Sequence, residues 1–321
     1  MTVFRFGYVA MSKHVKNSSP SQTMTYTNFE QHKDREAAIR RLEKIANTNI
    51  ENCIRLLKHN QAFDISLFRL SSRLIPLANH EELADWNYLK HTKESLRELG
   101  NYARDKNMRI GFHPDHFVVL NSLKQDIVKN SVQVLKLHYD LLKAMGINTM
   151  HRCVLHVGGS YGNKMEALER FIDNWGRIST RIQQTIILEN DDKTYNVEDV
   201  LYLCEKLSVP LVFDLHHHLA NHEQPDWMIY WERIIDTWKN SPLPVKVHLS
   251  SPKSDKEFRS HADYVDGDFF IDFAKKVNGS VPQVDCMIEA KQKDEALFKL
   301  IRDLKERKEV EMVDQSSIRL L

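Results

Sequence analysis

The sequence predicts an α/β protein built as a single (β/α)₈ TIM barrel. Short apolar, β-branched runs alternate with longer amphipathic stretches from end to end, and eight such pairs can be counted. Strict alternation implies parallel strands joined by right-handed crossovers. A histidine or a carboxylate stands at or just beyond the end of most of the apolar runs, and a barrel brings all its strand ends to one face. A doubly wound open sheet is the alternative, but it gives no reason for eight equivalent units.

The elements follow in order. VFRFGYVA (3–10) is the first strand, and a long polar connection, Met11 to Arg35, leads to the helix Glu36–His59. DISLFRLSS (64–72) is followed by Trp86–Asn107, and MRIGFHP (108–114) by Lys124–Ala144. In that last helix the period is plain: Ile127, Val128, Ser131, Val134, Leu135, Leu137, His138, Leu141 and Leu142 form one face. CVLHVGG (153–159) precedes Lys164–Gln183, TIILEND (185–191) precedes Val197–Leu207, and PLVFDLHH (210–217) precedes Asp226–Lys239. VKVHLSS (245–251) runs into a second long connection, Ser250 to Asp266, before Gly267–Val277; VDCMIEA (284–290) precedes Glu295–Glu306. Connections this long are usually functional or disordered. Residues 308–321 read as a flexible tail, frayed or lightly docked. No linker and no low-complexity segment interrupts the series, so residues 1–321 are expected to form one domain.

Bulk properties exclude several classes. The chain has 321 residues, of which 42% are hydrophobic and 28% charged, the profile of an ordinary globular protein. Its formal net charge of +1 gives no global attraction for nucleic acid or membrane, so a polyanion site must come from local charge. Cys53, Cys153, Cys204 and Cys286 lie inside apolar segments with no CxxC pair, which suits buried, reduced thiols in a cytoplasmic protein. MTVFRFGYVA lacks the apolar core and cleavage site of a signal peptide, and no run is long enough to span a membrane.

Placed on the barrel frame, the polar residues converge. His80 follows the second strand; His113, with Asp115 and His116, ends the third; His156 ends the fourth and Glu189 the fifth. Asp214 and His217 end the sixth, Lys246 and His248 lie in the seventh with His261 in its loop, and Glu289 ends the eighth. Nine of these imidazoles and carboxylates, His80, His113, His156, Glu189, Asp214, His217, His248, His261 and Glu289, are the candidate metal ligands. A divalent ion takes three or four protein ligands and keeps an open position, so nine suit two or three metals sharing carboxylates. No cysteine joins them, leaving manganese, zinc, iron or magnesium. A lone histidine is more often a hydrogen-bonded core residue, and His59, His91, His138 and His151, away from that face, are read so. Within His216–His218, alternation across a strand turns His217 to the site and leaves the other two to packing.

These residues resemble the ultraviolet (UV) damage endonucleases, DNA repair enzymes of bacteria and some fungi. The matching motifs are GYV (7–9), RLSS (69–72) with Pro76–His80, GFHPDHF (111–117) and LHVGG (155–159). LEND (188–191), FDLHHH (213–218), KVHLSS (246–251) and IEAKQKD (288–294) complete the set, whose order holds from about residue 4 to 294. The resemblance implies a (β/α)₈ enzyme similar to abasic-site endonucleases. It would bind three divalent metals, usually manganese (Mn2+), through the nine positions above, and cut damaged double-stranded DNA just 5′ to a UV photoproduct. It implies that Lys246 can be carboxylated beside the metals, and that the damage is probed by Tyr8 and by a Gln-Tyr pair that here reads His116–Phe117. Histidine keeps a donor and an acceptor there, while phenylalanine keeps the apolar wedge without the hydroxyl.

Chemistry agrees with that implication. Metals lower the pKa of a bound water, cancel phosphate charge and stabilise the leaving oxygen, with Lys246, Glu189 and Glu289 as the catalytic residues and the two glutamates as bridging ligands. Lys13, Lys16 and Asn17, in the first long loop, are the expected phosphate contacts, with Lys253, Lys256 and Arg259 after the seventh strand. The expected state is a cytoplasmic monomer with no membrane contact and no obligate protein partner. A sugar isomerase or epimerase of the same superfamily is the rival, but it needs fewer ligands and has no role for a basic first loop. A non-catalytic damage-binding module would not need nine metal-capable side chains.

Overall fold

In the computed structural model, which describes residues 1–321, the eight apolar runs become β1 (Val3–Val9), β2 (Leu67–Arg69), β3 (Arg109–Gly111), β4 (Cys153–His156), β5 (Ile186–Glu189), β6 (Leu211–Asp214), β7 (Val245–Leu249) and β8 (Gln283–Ile288). They lie in the order β3-β2-β1-β8-β7-β6-β5-β4, all parallel. A parallel bridge between Phe112 and Cys153 joins the two ends of that series. Phe112 N donates to Arg152 O at 2.8 Å and Val154 N to Phe112 O at 3.0 Å, so the barrel closes through this seam. Gly111 makes the approach possible: a Cβ there would meet the Arg152 carbonyl oxygen at 2.3 Å.

The helices are α1 (Tyr26–Glu30), α2 (Arg35–Ala62), α3 (Tyr88–Asp105), α4 (Gln125–Ala144), α5 (Lys164–Trp175), α6 (Thr180–Gln183), α7 (Val197–Leu207), α8 (Leu215–Ala220), α9 (Met228–Thr237), α10 (Gly267–Val277) and α11 (Asp294–Lys305). The amphipathic stretch 164–183 splits into α5 and α6 around Gly176. Phe4 and Phe6 of β1 point outward and meet Phe270 of α10 edge-on at 5.6 and 5.0 Å. This apolar shell between strands and helices is the main core.

The barrel interior is different. At its N-terminal end Asp285 accepts from Arg5 Nε and Arg109 Nη1, both at 2.8 Å, an ion triad across three strands in which Asp285 and Arg109 are buried and Arg5 partly so. Such a triad costs desolvation and survives only because its hydrogen bonds are made.

Two expectations are corrected. Residues 308–321 are no loose tail: β9 (Val310–Asp314) and β10 (Ser317–Leu320) form a hairpin, and β10 pairs antiparallel with Val3–Arg5 of β1. The short β2 covers only Gly7–Val9, which leaves the first half of β1 with a free edge for β10 to fill. HHH is also not strand. β6 stops at Asp214, whose carboxylate accepts from His217 N at 2.7 Å and caps α8. An N-cap aspartate turns the chain more strongly than the β preference of the run extends it.

All four cysteines are buried and free. No helix is long and apolar enough to cross a membrane.

Candidate metal centre

At the C-terminal mouth, Glu189 ends β5 and is fully buried. His113 Nε2 lies 2.8 Å from its Oε2 and His248 Nδ1 lies 2.7 Å from its Oε1. His248 also reaches Glu289 Oε1 at 3.2 Å. On the other side His217 Nδ1 stands 3.6 Å from Glu189 and 3.6 Å from Asp214, and His156 Nε2 is 3.6 Å from Glu189 Oε2. Two overlapping groups therefore have ligand atoms within 4.8 Å of one another: His113, Glu189, His248 and Glu289, and Glu189, Asp214 and His217. Glu189 belongs to both; Glu289 belongs to the first alone.

The donor set fits divalent cations. Asp214 Oδ2, His156 Nδ1 and His248 Nε2 are buried without any hydrogen-bond partner, an arrangement that is costly unless something else meets them. Burial holds the His113 imidazole down at about 4, so it is neutral and able to ligate at neutral pH. Burial alone would raise Glu189, but His248, His156 and His113 outweigh it and keep the carboxylate ionised. For His217 burial is likewise outweighed, by Asp214 and Glu189, which raise it to about 9. Oxygen and nitrogen donors without thiolate suit the harder first-row ions.

Lys246 lies in the barrel just below. Burial, then Arg109 and Arg69, bring its amine down to about 7. Beside the centre, an open cavity of about 530 Å³ is bordered by His156 and His217 on the inside and by His116, Phe117 and Tyr161 at the rim. Phe117 is 62% exposed there and its ring meets His116 edge-on at 5.8 Å.

Comparison with known proteins decides the family. The model of the family described as "UV-endonuclease UvdE" matches residues 4–320. The chain belongs to the UV-endonuclease UvdE family. A UV DNA damage endonuclease of Halalkalibacterium halodurans is 50% identical over 315 residues, 98% of each chain. One from Bacillus cereus is 41% identical over 305 residues, 94% of this chain and 95% of its own. The crystal structure of SacUVDE superposes with a TM-score of 0.83 at 29% identity, over 94% of this chain and 98% of that one. Endonuclease IV from Thermus thermophilus, at a TM-score of 0.55 and 14% identity over 94% of this chain and 100% of its own, shares the fold.

Some positions implied by the UvdE resemblance lie elsewhere. Tyr8 is not at the mouth. It points outward from β1, is fully buried, packs on Phe68 at 5.1 Å, and donates its hydroxyl to Asn60 Oδ1 at 2.6 Å. Odd positions of β1 face the barrel interior, as Arg5 does, and even ones face the helices. His80 is also outside the cluster: eleven residues beyond Arg69, it stacks on Tyr26 at 3.9 Å and accepts from Glu82 N at 3.3 Å. His261 is at the rim, its ring 6.2 Å from that of His217 and outside both ligand groups. His216 and His218 are bound to Ser250, Phe258 and Pro225 instead.

Sequence reading missed two residues of the centre. Arg69, at the inward end of β2, pairs with Glu289; a lone arginine closing LFR was the available signal. Asn190 ties β5 to β6, accepting from Asp214 N and donating to Asp214 O, both at 2.9 Å. It holds Asp214 against Glu189, and its place in LEND (188–191) was the available signal. Lys13, Lys16 and Asn17 are exposed, and the backbone carbonyls of Lys16 and Asn17 bind Arg55 at 2.9 and 2.7 Å.

Proposed function

We propose that the protein is a metal-dependent DNA repair endonuclease. It nicks the phosphodiester immediately 5′ to UV photoproducts, pyrimidine dimers and other distorting lesions, and leaves a 3′-hydroxyl and a 5′-phosphate. Family membership supports the class of reaction, as does the near-complete coverage of a relative named for it. The observation that carries the chemistry is Glu189, one buried carboxylate common to two groups of ligand atoms at the barrel mouth.

His113, His248 and Glu289 would hold one divalent ion with Glu189, and Asp214 and His217 a second. His156, with His261 toward the rim, provides donors for a third. Manganese is the expected metal, with zinc or magnesium as alternatives. Bound there, such ions supply an activated water and neutralise the phosphodiester charge. The protein's own groups do the rest. Glu189 stays ionised and fixes the two imidazoles nearest it. Asn190 and the α8 cap orient Asp214 and His217. Lys246, brought toward neutrality, presents an amine that can take up carbon dioxide, as the UvdE resemblance implies. His116 and Phe117 stand at the rim where a distorted base pair would be tested, with Lys13, Lys16 and Asn17 in the loop that would follow the backbone. A wedge reads ease of unstacking rather than any lesion-specific atom.

Incision of UV-irradiated plasmid with added manganese tests the reading. Nicking confined to irradiated plasmid supports it. Aldose isomerisation without nicking would favour the sugar isomerase reading, and a gel shift without nicking the binding module.

A further inference from the structure

A second cleft, of about 340 Å³, opens at the rim on the other side of Glu289, between Val9 of β1, the loop after β7 and the loop after β8. Its wall is built rather than incidental. Lys291 N and Gln292 N donate to Ala262 O and Asp263 O at 3.1 and 3.1 Å, which zips the two loops together. The buried Asp294 accepts from Lys13 N at 2.7 Å and from the Ser12 hydroxyl, which pins the loop after β1 to the same wall.

The cleft is lined by Arg69, Lys291 and Lys293. Arg69 is engaged by Glu289, but neither lysine forms an ion pair, and Lys293 is only half exposed. Burial, Arg69 and Lys13 all push the Lys293 ammonium below its usual range, so the cations crowd one another with Glu289 as their counter-charge. Lys293 also has φ 56° and ψ −123°, a conformation glycine adopts freely and a lysine only under strain. A lysine held there against both its backbone preference and its neighbours' charge lines a cleft in which three cations, Arg69, Lys291 and Lys293, face the single carboxylate of Glu289.

We propose that Lys291 and Lys293, with Arg69 and Lys13 at the edge, form a binding site for a single DNA backbone phosphate. It would be the one adjoining the phosphate at the metal centre, because Glu289 is a wall of both. This rests on the endonuclease reading above. The site sets the register of the strand: it holds one phosphate so that the next lies over the Glu189 cluster, while the bases face the His116–Phe117 rim on the opposite side of the centre.

The test uses the metal-loaded full chain and the variants Lys293→Gly and Lys293→Gln. Glycine suits the local backbone, so Lys293→Gly should melt no lower than the parent, and the glutamine variant keeps a side chain in place. Both should raise KM for incision of a photoproduct duplex about tenfold, the worth of one charge-assisted hydrogen bond, with a smaller change in kcat. On undamaged duplex, which is not cut, the slope of log affinity against log salt should flatten by about 0.9 for the lost phosphate contact. Duplexes carrying one neutral methylphosphonate at successive positions identify the phosphate. At one position the substitution should cost the parent about tenfold and the variants nothing more. Variants that match the parent in salt slope and are as sensitive as it at every methylphosphonate position would overturn the site while leaving the endonuclease reading intact. A parent that neither binds nor nicks irradiated duplex would overturn both.

Discussion

Glu189 meets His248 through one oxygen and His113 through the other, with His217 and His156 close behind. Glu189→Gln keeps the shape and removes the charge that the four imidazoles surround. Incision should fall by at least two orders of magnitude, since even changes one shell further out typically cost 10–100-fold, and bound metal should fall with it. His217→Ala should behave alike, with the circular dichroism of the parent retained in both. Near-normal turnover at unchanged metal content would refute the centre. Tyr8 and Phe117 make a sharper contrast, because both belong to the expected probing set and their environments are opposite. Tyr8→Phe leaves Asn60 Oδ1 buried without its donor, at a cost of about 1–3 kcal/mol of stability, with incision little changed once folded. Phe117→Ala, at a side chain 62% exposed, should change stability by less than about 0.5 kcal/mol. It should nevertheless lower incision at photoproducts while metal content stays constant.

Two elements have roles that their composition hides. The β9–β10 hairpin buries Ile318 and Leu320 and completes the edge of β1. Truncation after Arg307 should destabilise the protein by about 3 kcal/mol or more, from two aliphatic side chains worth about 1.5–3 kcal/mol each, and a melting curve measures this directly. The first long loop holds itself to the barrel through its backbone, by Lys16 O and Asn17 O to Arg55. Its lysine side chains are thereby left exposed for a ligand. Replacing Lys13 and Lys16 together should weaken binding to damaged and undamaged duplex equally and flatten the salt dependence. An unchanged slope would make them ordinary solvated lysines.

The whole molecule contains several histidines that the fold keeps neutral. Burial holds His113, His138 and His151 at about 4, against 6.5 when unfolded. As pH falls from 6.5 toward 4 the unfolded chain takes up protons that the fold refuses, so stability is present above 6.5 and is lost across that window. The melting temperature should therefore drop steeply there. His138 packs against Phe112 at 4.6 Å, and neither ring nitrogen has a partner of normal hydrogen-bond geometry. His138→Leu should flatten the drop without loss at neutral pH; an equally steep profile would show that other groups govern acid unfolding. Metal binding would add to this bias, because protons compete for the same imidazoles and carboxylates. Ligands that bind only the folded state stabilise it, so a chelator should lower the melting temperature and manganese restore it.

The eight-fold alternation of runs, the face at which the candidate ligands gather and the order of the family motifs were legible in the sequence. Each depends on local pattern: period, residue type at a strand end, spacing along the chain. Glu189, Asp214, His217 and His248 could be placed together because each lies at or beside the end of its own strand, and barrel closure does the rest. His80 could not be placed, because eleven residues of loop separate it from Arg69 and its stacking on Tyr26 is a contact between two connections. Its motif places Tyr8 in the probing set, but the alternation of β1 turns it to Asn60. The contacts of Arg69 and Asn190 and the basic cleft around Lys293 exist only in the folded chain, since their partners come from strands and loops distant in sequence. The tail reads as loose because it lies beyond the last of the eight strand–helix pairs, and the edge it fills exists only because β2 is short. Local pattern determines which residues reach the mouth of a barrel; which of them meet, and which charges stay unpaired, is decided by contacts among loops that no periodicity encodes.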